Sequence, residues 1–180
     1  MTQRAAFIDR DGVLNEDHGY VFRAEDFHWL PGAIAALARL QQAGYALVVV
    51  TNQSGIARGF YSEADLARLN AHMQAELQAQ GVALAGIYAC PHHPQGSVVA
   101  YRRICDCRKP SPGLILQAAH ALSLDLAASC LFGDKASDIE AGRRAGVGHC
   151  VAIGSVAGAG ADACHASLQA AVDNLLGATA

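Results

Sequence analysis

The run Tyr45-Ala46-Leu47-Val48-Val49-Val50 most constrains what this chain can fold into. Six apolar residues in a row, ending in three β-branched ones, show no alternation between an inside and an outside face. Such a run suits a strand covered on both faces, the usual situation in a parallel sheet. Residues 5–8, 127–132 and 149–153 read the same way, and residues 84–89 form a shorter, less regular candidate. Segments of helical apolar spacing lie between these runs. Ile34, Leu37 and Leu40 follow Pro31-Gly32. Leu66, Leu69, Met73 and Leu77 follow a Ser62–Asp65 pair that resembles a capping box. Leu114, Ile115, Ala118, Ala119 and Leu122 follow Pro112-Gly113, and residues 137–145 and 168–176 complete the set. Strands alternating with helices predict a doubly wound, Rossmann-like α/β fold with a mostly parallel sheet. No internal repeat or linker divides the chain, so one domain over residues 1–180 is expected. Residues 154–163 are small and read as flexible.

In a doubly wound sheet, ligands bind beyond the carboxyl ends of the strands. Polar clusters follow strands here: Asp9 and Asp11, then Thr51-Asn52-Gln53-Ser54, then Cys90 and His92, then Asp134-Lys135. Two carboxylates one residue apart make a poor core, because unpaired buried charge is costly. They suit Mg²⁺, which takes oxygen ligands from one or two carboxylates and from substrate phosphate. A carboxylate can also attack phosphorus and form an aspartyl phosphate. Taken alone, Asp9 and Asp11 could be a polar strand exit, Thr51 could simply end a strand, and Arg108 could be a solvated cation. The sequence has only two lysines, Lys109 and Lys135, and both lie in these polar segments. Asp138 could bind metal, orient Lys135 or cap a helix.

The composition, 52% hydrophobic and 16% charged with a net charge of −3, is that of a globular chain. It has no basic run that would bind nucleic acid. No apolar run approaches the ~20 residues needed to span a membrane. Met1-Thr2-Gln3-Arg4 leads straight into a strand without a signal segment, so a cytoplasmic location is expected. Cys90, His92, Cys105 and Cys107 form a C-x-H…C-x-C set that matches a closed, four-ligand structural Zn²⁺ site, with His93 as the competing imidazole. Cys130, Cys150 and Cys164 are expected in the core.

Asp9-Arg10-Asp11-Gly12, Thr51-Asn52-Gln53-Ser54-Gly55, Arg108-Lys109-Pro110 and Gly133-Asp134-Lys135 with Asp138, in that order, resemble the haloacid dehalogenase superfamily of phosphotransferases. Asp17-His18-Gly19-Tyr20, the run from Val48 to Gly59, Cys90-Pro91-His92-His93-Pro94-Gln95-Gly96-Ser97 and Cys105-Asp106-Cys107 narrow the likeness to that superfamily's heptose-bisphosphate phosphatases. It covers about residues 7–151.

The resemblance implies a fold without a separate cap domain, since residues 15–51 and 62–108 are too short or already assigned. It makes Asp9 the nucleophile and Asp11 the general acid–base. Thr51 and Lys109 become partners of the phosphoryl group, and Asp9, Asp134 and the Asp11 carbonyl become Mg²⁺ ligands. Asp17, His18, Gly19, Tyr20, Asn52, Gln53, Ser54, Arg108 and Lys135 become substrate contacts. Among the zinc ligands it favours His92. Val13 stands where many relatives carry threonine. The expected partner is a small sugar bisphosphate, with no nucleic acid and no membrane, and the expected state is a monomer. Histidinol-phosphate phosphatase is the nearest rival, and a non-catalytic zinc module is the rival from another class.

Overall fold

The computed structural model describes residues 2–155 and 160–177. Six parallel strands form one sheet: β1 (Gln3–Ile8), β2 (Ala46–Asn52), β3 (Gly86–Cys90), β4 (Leu124–Gly133), β5 (His149–Ile153) and β6 (Ala163–His165). Their order across the sheet is β3-β2-β1-β4-β5-β6. Among the described residues five α-helices pack on its two faces: α1 (Ala33–Gln42), α2 (Glu63–Ala79), α3 (Gly113–Leu122), α4 (Ala136–Ala145) and α5 (Leu168–Leu176).

The central strands send successive residues to opposite faces, as the period of two requires. Ala6 and Ile8 of β1 and Leu47 and Val49 of β2 join one core with Leu37 and Leu40 of α1, Leu69, Met73 and Leu77 of α2, and Val172 of α5. Ala5, Phe7, Val48 and Val50 face the other way, into a second core with Leu114, Ile115 and Ala118 of α3 and Ile139 and Ala141 of α4. Covering both faces explains why Val48, Val49 and Val50 can follow one another without a polar residue.

Most of the expected elements form within a residue or two of their sequence limits. The Ser62 hydroxyl accepts from the Asp65 amide, and the Asp65 carboxylate accepts from the Ser62 amide, closing the capping box at the start of α2. β4 begins earlier than expected. Gln3 and Arg4 pair with Leu124 and Asp125, then the register slips before Ala6 meets Cys130. Ser129 Oγ fills the gap by accepting from the Ala5 amide at 2.8 Å.

β6 has no counterpart among the expected elements. Its Ala163, Cys164 and His165 carry little β-propensity, and pairing with Val151 to Ile153 alone makes them a strand. The flexibility expected for residues 154–163 falls partly on residues 156–159, which lie outside the described residues. Cys130 and Cys150 are buried as expected, but Cys164 is exposed, because the edge strand that carries it turns it outward. Among the described residues no helix is long and apolar enough to cross a membrane. No cap domain interrupts the connections between the described strands.

The strand order places the topological switch between β1 and β4, which leave the centre of the sheet in opposite directions. Their carboxyl ends are neighbours: the Asp9 amide donates to the Phe132 carbonyl at 3.0 Å. Residues just after β1 and just after β4 are therefore forced together.

The Ser62 cap is expected to act locally. Ser62→Ala should cost ~1 kcal/mol of folding free energy, read as a lower urea midpoint with an unchanged slope.

Candidate active site and metal centres

Lys109 joins three parts of the fold at one atom. Its Nζ lies 2.9 Å from Asp9 Oδ1 and 2.7 Å from Asp138 Oδ1, and it donates to the Val50 carbonyl at 2.8 Å. An ammonium has three donors, so all of them are used. The backbone of Lys109 is clamped as well: its amide donates to Asn52 Oδ1 and its carbonyl accepts from Asn52 Nδ2, both at 3.1 Å. Burial opposes the charge of Lys109, yet the neighbouring Asp9 and Asp138 carboxylates outweigh it and hold the pKa above the ordinary lysine value. Burial likewise pushes the Asp9 carboxyl up, but Lys109, Lys135 and the Arg10 amide together bring it below the usual range. Asp9 is thus a buried, ionised carboxylate. The Arg10 amide and Lys109 both meet its Oδ1. Among the described residues no N–H or hydroxyl donates to its Oδ2.

Asp134 approaches from the end of β4. Asp9, Asp134 and Asp138 can each place one carboxylate oxygen within 4.8 Å of the others. Burial, then the charge of Asp9, pushes Asp134 up to about 7. Its Oδ1 is buried with no hydrogen-bond partner among the described residues. Two glycines permit the approach. Gly12 has φ +83°, and a Cβ there would lie 2.4 Å from Asp134 Oδ2; a Cβ on Gly133 would lie 2.2 Å from the Asp138 Cβ. Three acids gather here, two of them on the buried Lys109 ammonium and the third beside Lys135, and one Asp134 oxygen has no partner among the described residues. That donor set fits a hard divalent cation.

Asp138, left open by sequence, has both oxygens engaged: Oδ2 accepts from the Lys135 amide at 3.0 Å, capping α4, and Oδ1 pairs with Lys109. Burial and the Asp9 charge push its carboxyl up.

The carboxylate of Asp11 lies apart from this acid group, in its own cage. Arg10 reaches it through Nε at 3.0 Å and Nη2 at 2.8 Å, Asn15 Nδ2 at 3.0 Å, and Gln53 Nε2 at 2.9 Å. Arg10 is fully buried and also donates to the Val21 carbonyl at 2.7 Å. Gln53 Nε2 donates to Thr51 Oγ1 at 2.9 Å, and the Tyr61 hydroxyl donates to Gln53 Oε1. Burial pushes the Tyr61 phenol well up, which keeps it a donor.

A cavity of about 300 Å³ opens over Asp11, lined by Asp17, Gly19, Tyr20, Asn52, Gln53, Ser54, Tyr61 and Lys135. Lys135 stands 3.6 Å from both Asp17 and Asp134. His18 is not among the lining residues and pairs instead with Glu16. Arg108 lines a neighbouring cavity with Lys109, His93 and Cys105 and donates to the His92 carbonyl at 3.4 Å.

Arg10, Asn15 and Tyr61 had no role assigned from the sequence. A charged residue set between two carboxylates at a strand end was the available signal for Arg10. Nothing local marks Tyr61, whose ring partner Phe22 comes from the loop after β1.

Cys90, at the end of β3, meets His92, Cys105 and Cys107 beside the carboxyl edge of the sheet. The Sγ–Sγ distances are 3.0–3.6 Å, and His92 Nδ1 lies 3.3 Å from Cys107 Sγ and 3.7 Å from Cys90 Sγ. A tetrahedron with Zn–S bonds of ~2.3 Å has edges of ~3.8 Å, so the four atoms need only spread slightly to hold zinc. His93 is turned elsewhere, its Nδ1 accepting from the Gln95 amide and its Nε2 facing Arg58.

A family model described as haloacid dehalogenase-like hydrolase matches residues 6–103, and a second, HAD-hydrolase-like, matches residues 106–175. The chain is 51% identical over 144 residues to a D-glycero-beta-D-manno-heptose-1,7-bisphosphate 7-phosphatase of Salmonella typhi, covering 80% of this chain and 77% of that protein. It is 52% identical over 144 residues to the protein of the same name from Escherichia coli K12, covering 80% and 75%. A solved structure of D,D-heptose 1,7-bisphosphate phosphatase from B. bronchiseptica, complexed with magnesium and phosphate, superposes with a TM-score of 0.83 at 33% identity, covering 96% of this chain and 98% of that one.

The Lys109 junction sets an expectation for stability. Lys109→Met leaves two buried carboxylates without their partner and should cost about 3–5 kcal/mol, measured by urea unfolding. Lys135→Met, at a half-exposed site, should cost less than about 1 kcal/mol. Equal losses at the two positions would contradict the burial argument.

Proposed function

Because this chain belongs to the haloacid dehalogenase-like hydrolases, we propose that it hydrolyses the C7 phosphate of D-glycero-β-D-manno-heptose 1,7-bisphosphate, leaving heptose 1-phosphate. This is a step in supplying ADP-heptose for lipopolysaccharide core. The observation that carries the reading is the division of labour between two carboxylates two residues apart. Asp9 is held below the usual carboxylate range by Lys109 and the Arg10 amide, both on its Oδ1, while Asp11 is held in a separate cage at the cavity.

Asp9 Oδ2 attacks phosphorus in line, and the bond from phosphorus to the sugar oxygen breaks. Asp11 gives its proton to that leaving oxygen. In the second half, Asp11 takes a proton from water, the water oxygen attacks the aspartyl phosphate, and Asp9 returns as inorganic phosphate leaves. Thr51 Oγ1 already accepts from Gln53, so its own hydrogen is free to donate to a phosphoryl oxygen. Lys109 offsets charge on Asp9 and on the bound phosphate. Asp9, Asp134 and the Asp11 carbonyl would hold Mg²⁺, which supplies positive charge that draws an anionic phosphate toward an anionic nucleophile.

Asp17, His18, Gly19, Tyr20, Asn52, Gln53, Ser54, Arg108 and Lys135 are the proposed sugar and distal-phosphate contacts. Cys90, His92, Cys105 and Cys107 are proposed to hold a structural Zn²⁺ that pins residues 90–107 and so places Arg108 and Lys109. The protein is taken as one domain over residues 1–180, cytoplasmic and monomeric.

Steady-state kinetics test the reading. Arg108 and Lys135 favour a second anion and repel a cationic amine, so kcat/KM should be at least ~10-fold higher for the heptose bisphosphate than for histidinol phosphate if one charge contact is worth ~1.4 kcal/mol. Asp9→Asn should abolish turnover in a protein that still folds. Better use of histidinol phosphate would overturn the substrate, and near-normal turnover in Asp9→Asn would overturn the mechanism.

The purified protein should carry about one zinc per chain by metal analysis, and chelation should raise protease sensitivity between residues 90 and 107 before Mg²⁺-dependent activity is lost. A folded, active preparation free of zinc would rule the site out.

A further inference from the structure

Two aromatic pairs zip the loop after β1 to the loop after β2. In the inner pair, Phe22 stacks on Tyr61 with ring centres 5.0 Å apart and planes at 10°. Tyr61 is buried, and its hydroxyl donates to Gln53, so this pair is anchored in the Asp11 cage. In the outer pair, Tyr20 meets Phe60 edge to face, at 4.7 Å and 72°. The outer pair is not needed to join the loops, and it is exposed: Tyr20 by 44% and Phe60 by 54%. Tyr20 is also held in an unusual backbone state, with φ 57° directly after Gly19 at φ 78°. A bulky residue adopts that region only when its surroundings impose it. The surroundings are on one side the Asp17 carboxylate, which accepts from the Gly19 amide at 3.0 Å, and on the other the Phe60 ring.

Tyr20 lines the cavity over Asp11, while Phe60 stands behind it. The remaining lining is polar apart from Gly19 and Tyr61: Asp11, Asp17, Asn52, Gln53, Ser54 and Lys135. A sugar ring presents hydroxyls around its rim and an apolar C–H face. Polar side chains can satisfy the rim, but the face needs a flat apolar surface, and the exposed aromatic edge of this cavity is Tyr20. We infer that Phe60 is a positioning residue: it sets the Tyr20 ring as a lip against which the C–H face of a pyranose packs while its phosphate lies at Asp9. The inference rests on the sugar-phosphatase reading and adds to it a residue that touches neither phosphate nor metal. An edge-to-face pair gives the ring a defined tilt, which an aliphatic neighbour would not.

The test compares Phe60→Ala and Phe60→Tyr with the unaltered protein on three esters: heptose 1,7-bisphosphate, glucose 6-phosphate and the ring-free glycerol 3-phosphate. Removing a supporting aromatic pair should raise KM about fivefold for both pyranose esters. The kcat values and the KM for glycerol 3-phosphate should stay within about twofold of the unaltered protein, a split that a merely structural role would not produce. Phe60→Tyr should restore KM, and the melting temperature of Phe60→Ala should match that of the unaltered protein, since the side chain is half exposed. Unchanged KM on the pyranose esters, or an equal rise on glycerol 3-phosphate, would overturn the inference. If the unaltered protein failed to prefer the bisphosphate, the heptose reading would fall. The ring-against-chain comparison between glucose 6-phosphate and glycerol 3-phosphate would still decide the role of Phe60.

Discussion

The Lys109 ammonium is the contact on which the rest of the site depends. It bridges the end of β1, the backbone of β2 and the first turn of α4 through Asp9, Val50 and Asp138. A buried ion is costly unless its partners are close and its hydrogen bonds complete, and here three donors meet three acceptors. Lys109 and the half-exposed Lys135, 3.6 Å from Asp134, supply two positive charges against three acids, however. The group around Asp9, Asp134 and Asp138 therefore keeps negative charge and an unsatisfied Asp134 oxygen. The same arrangement that makes the junction rigid makes it receptive to a divalent cation and, through that cation, to phosphate.

The two carboxylates sit in different surroundings. Around Asp9, a cation and a backbone amide converge on one oxygen and leave the other free, which suits a nucleophile. Around Asp11, Arg10, Asn15 and Gln53 fix the carboxylate at the cavity, outside the acid group. Gln53 links the cages to the cavity wall, holding Thr51 with its amide and receiving Tyr61 on its carbonyl. The cluster of Cys90, His92, Cys105 and Cys107 stands just before Arg108 and Lys109 in the chain.

Much of this was legible in the residues. Apolar runs ending in polar clusters announce parallel strands whose carboxyl ends carry a site, and Asp9, Asp11, Thr51 and Asp134 stand at those ends. The scarcity of lysine singled out Lys109. The Ser62–Asp65 cap and the C-x-H…C-x-C spacing are local patterns, and both appear as written. Arg10 was less legible, because only the fold shows that a cation between two aspartates is drawn fully inside. Phe60 and Tyr61 were silent, since their partners Tyr20 and Phe22 lie some forty positions earlier in the chain. Cys164 was misjudged as core because an apolar neighbourhood in sequence does not tell which way an edge strand turns its side chains.

By itself the sequence determined the elements and the chemistry each one carries, because helix spacing, strand runs, caps and ligand patterns are set by residues close together in the chain. Tertiary structure alone decided which of those groups meet. The order β3-β2-β1-β4-β5-β6 sets Asp9 beside Asp134, and β6 exists only because β5 offers it a free edge. Asp138, besides capping α4, meets Lys109 across the fold, and Tyr20 at the cavity meets Phe60 edge to face. These are contacts between residues distant in sequence, and their geometry depends on burial and register that no local pattern encodes.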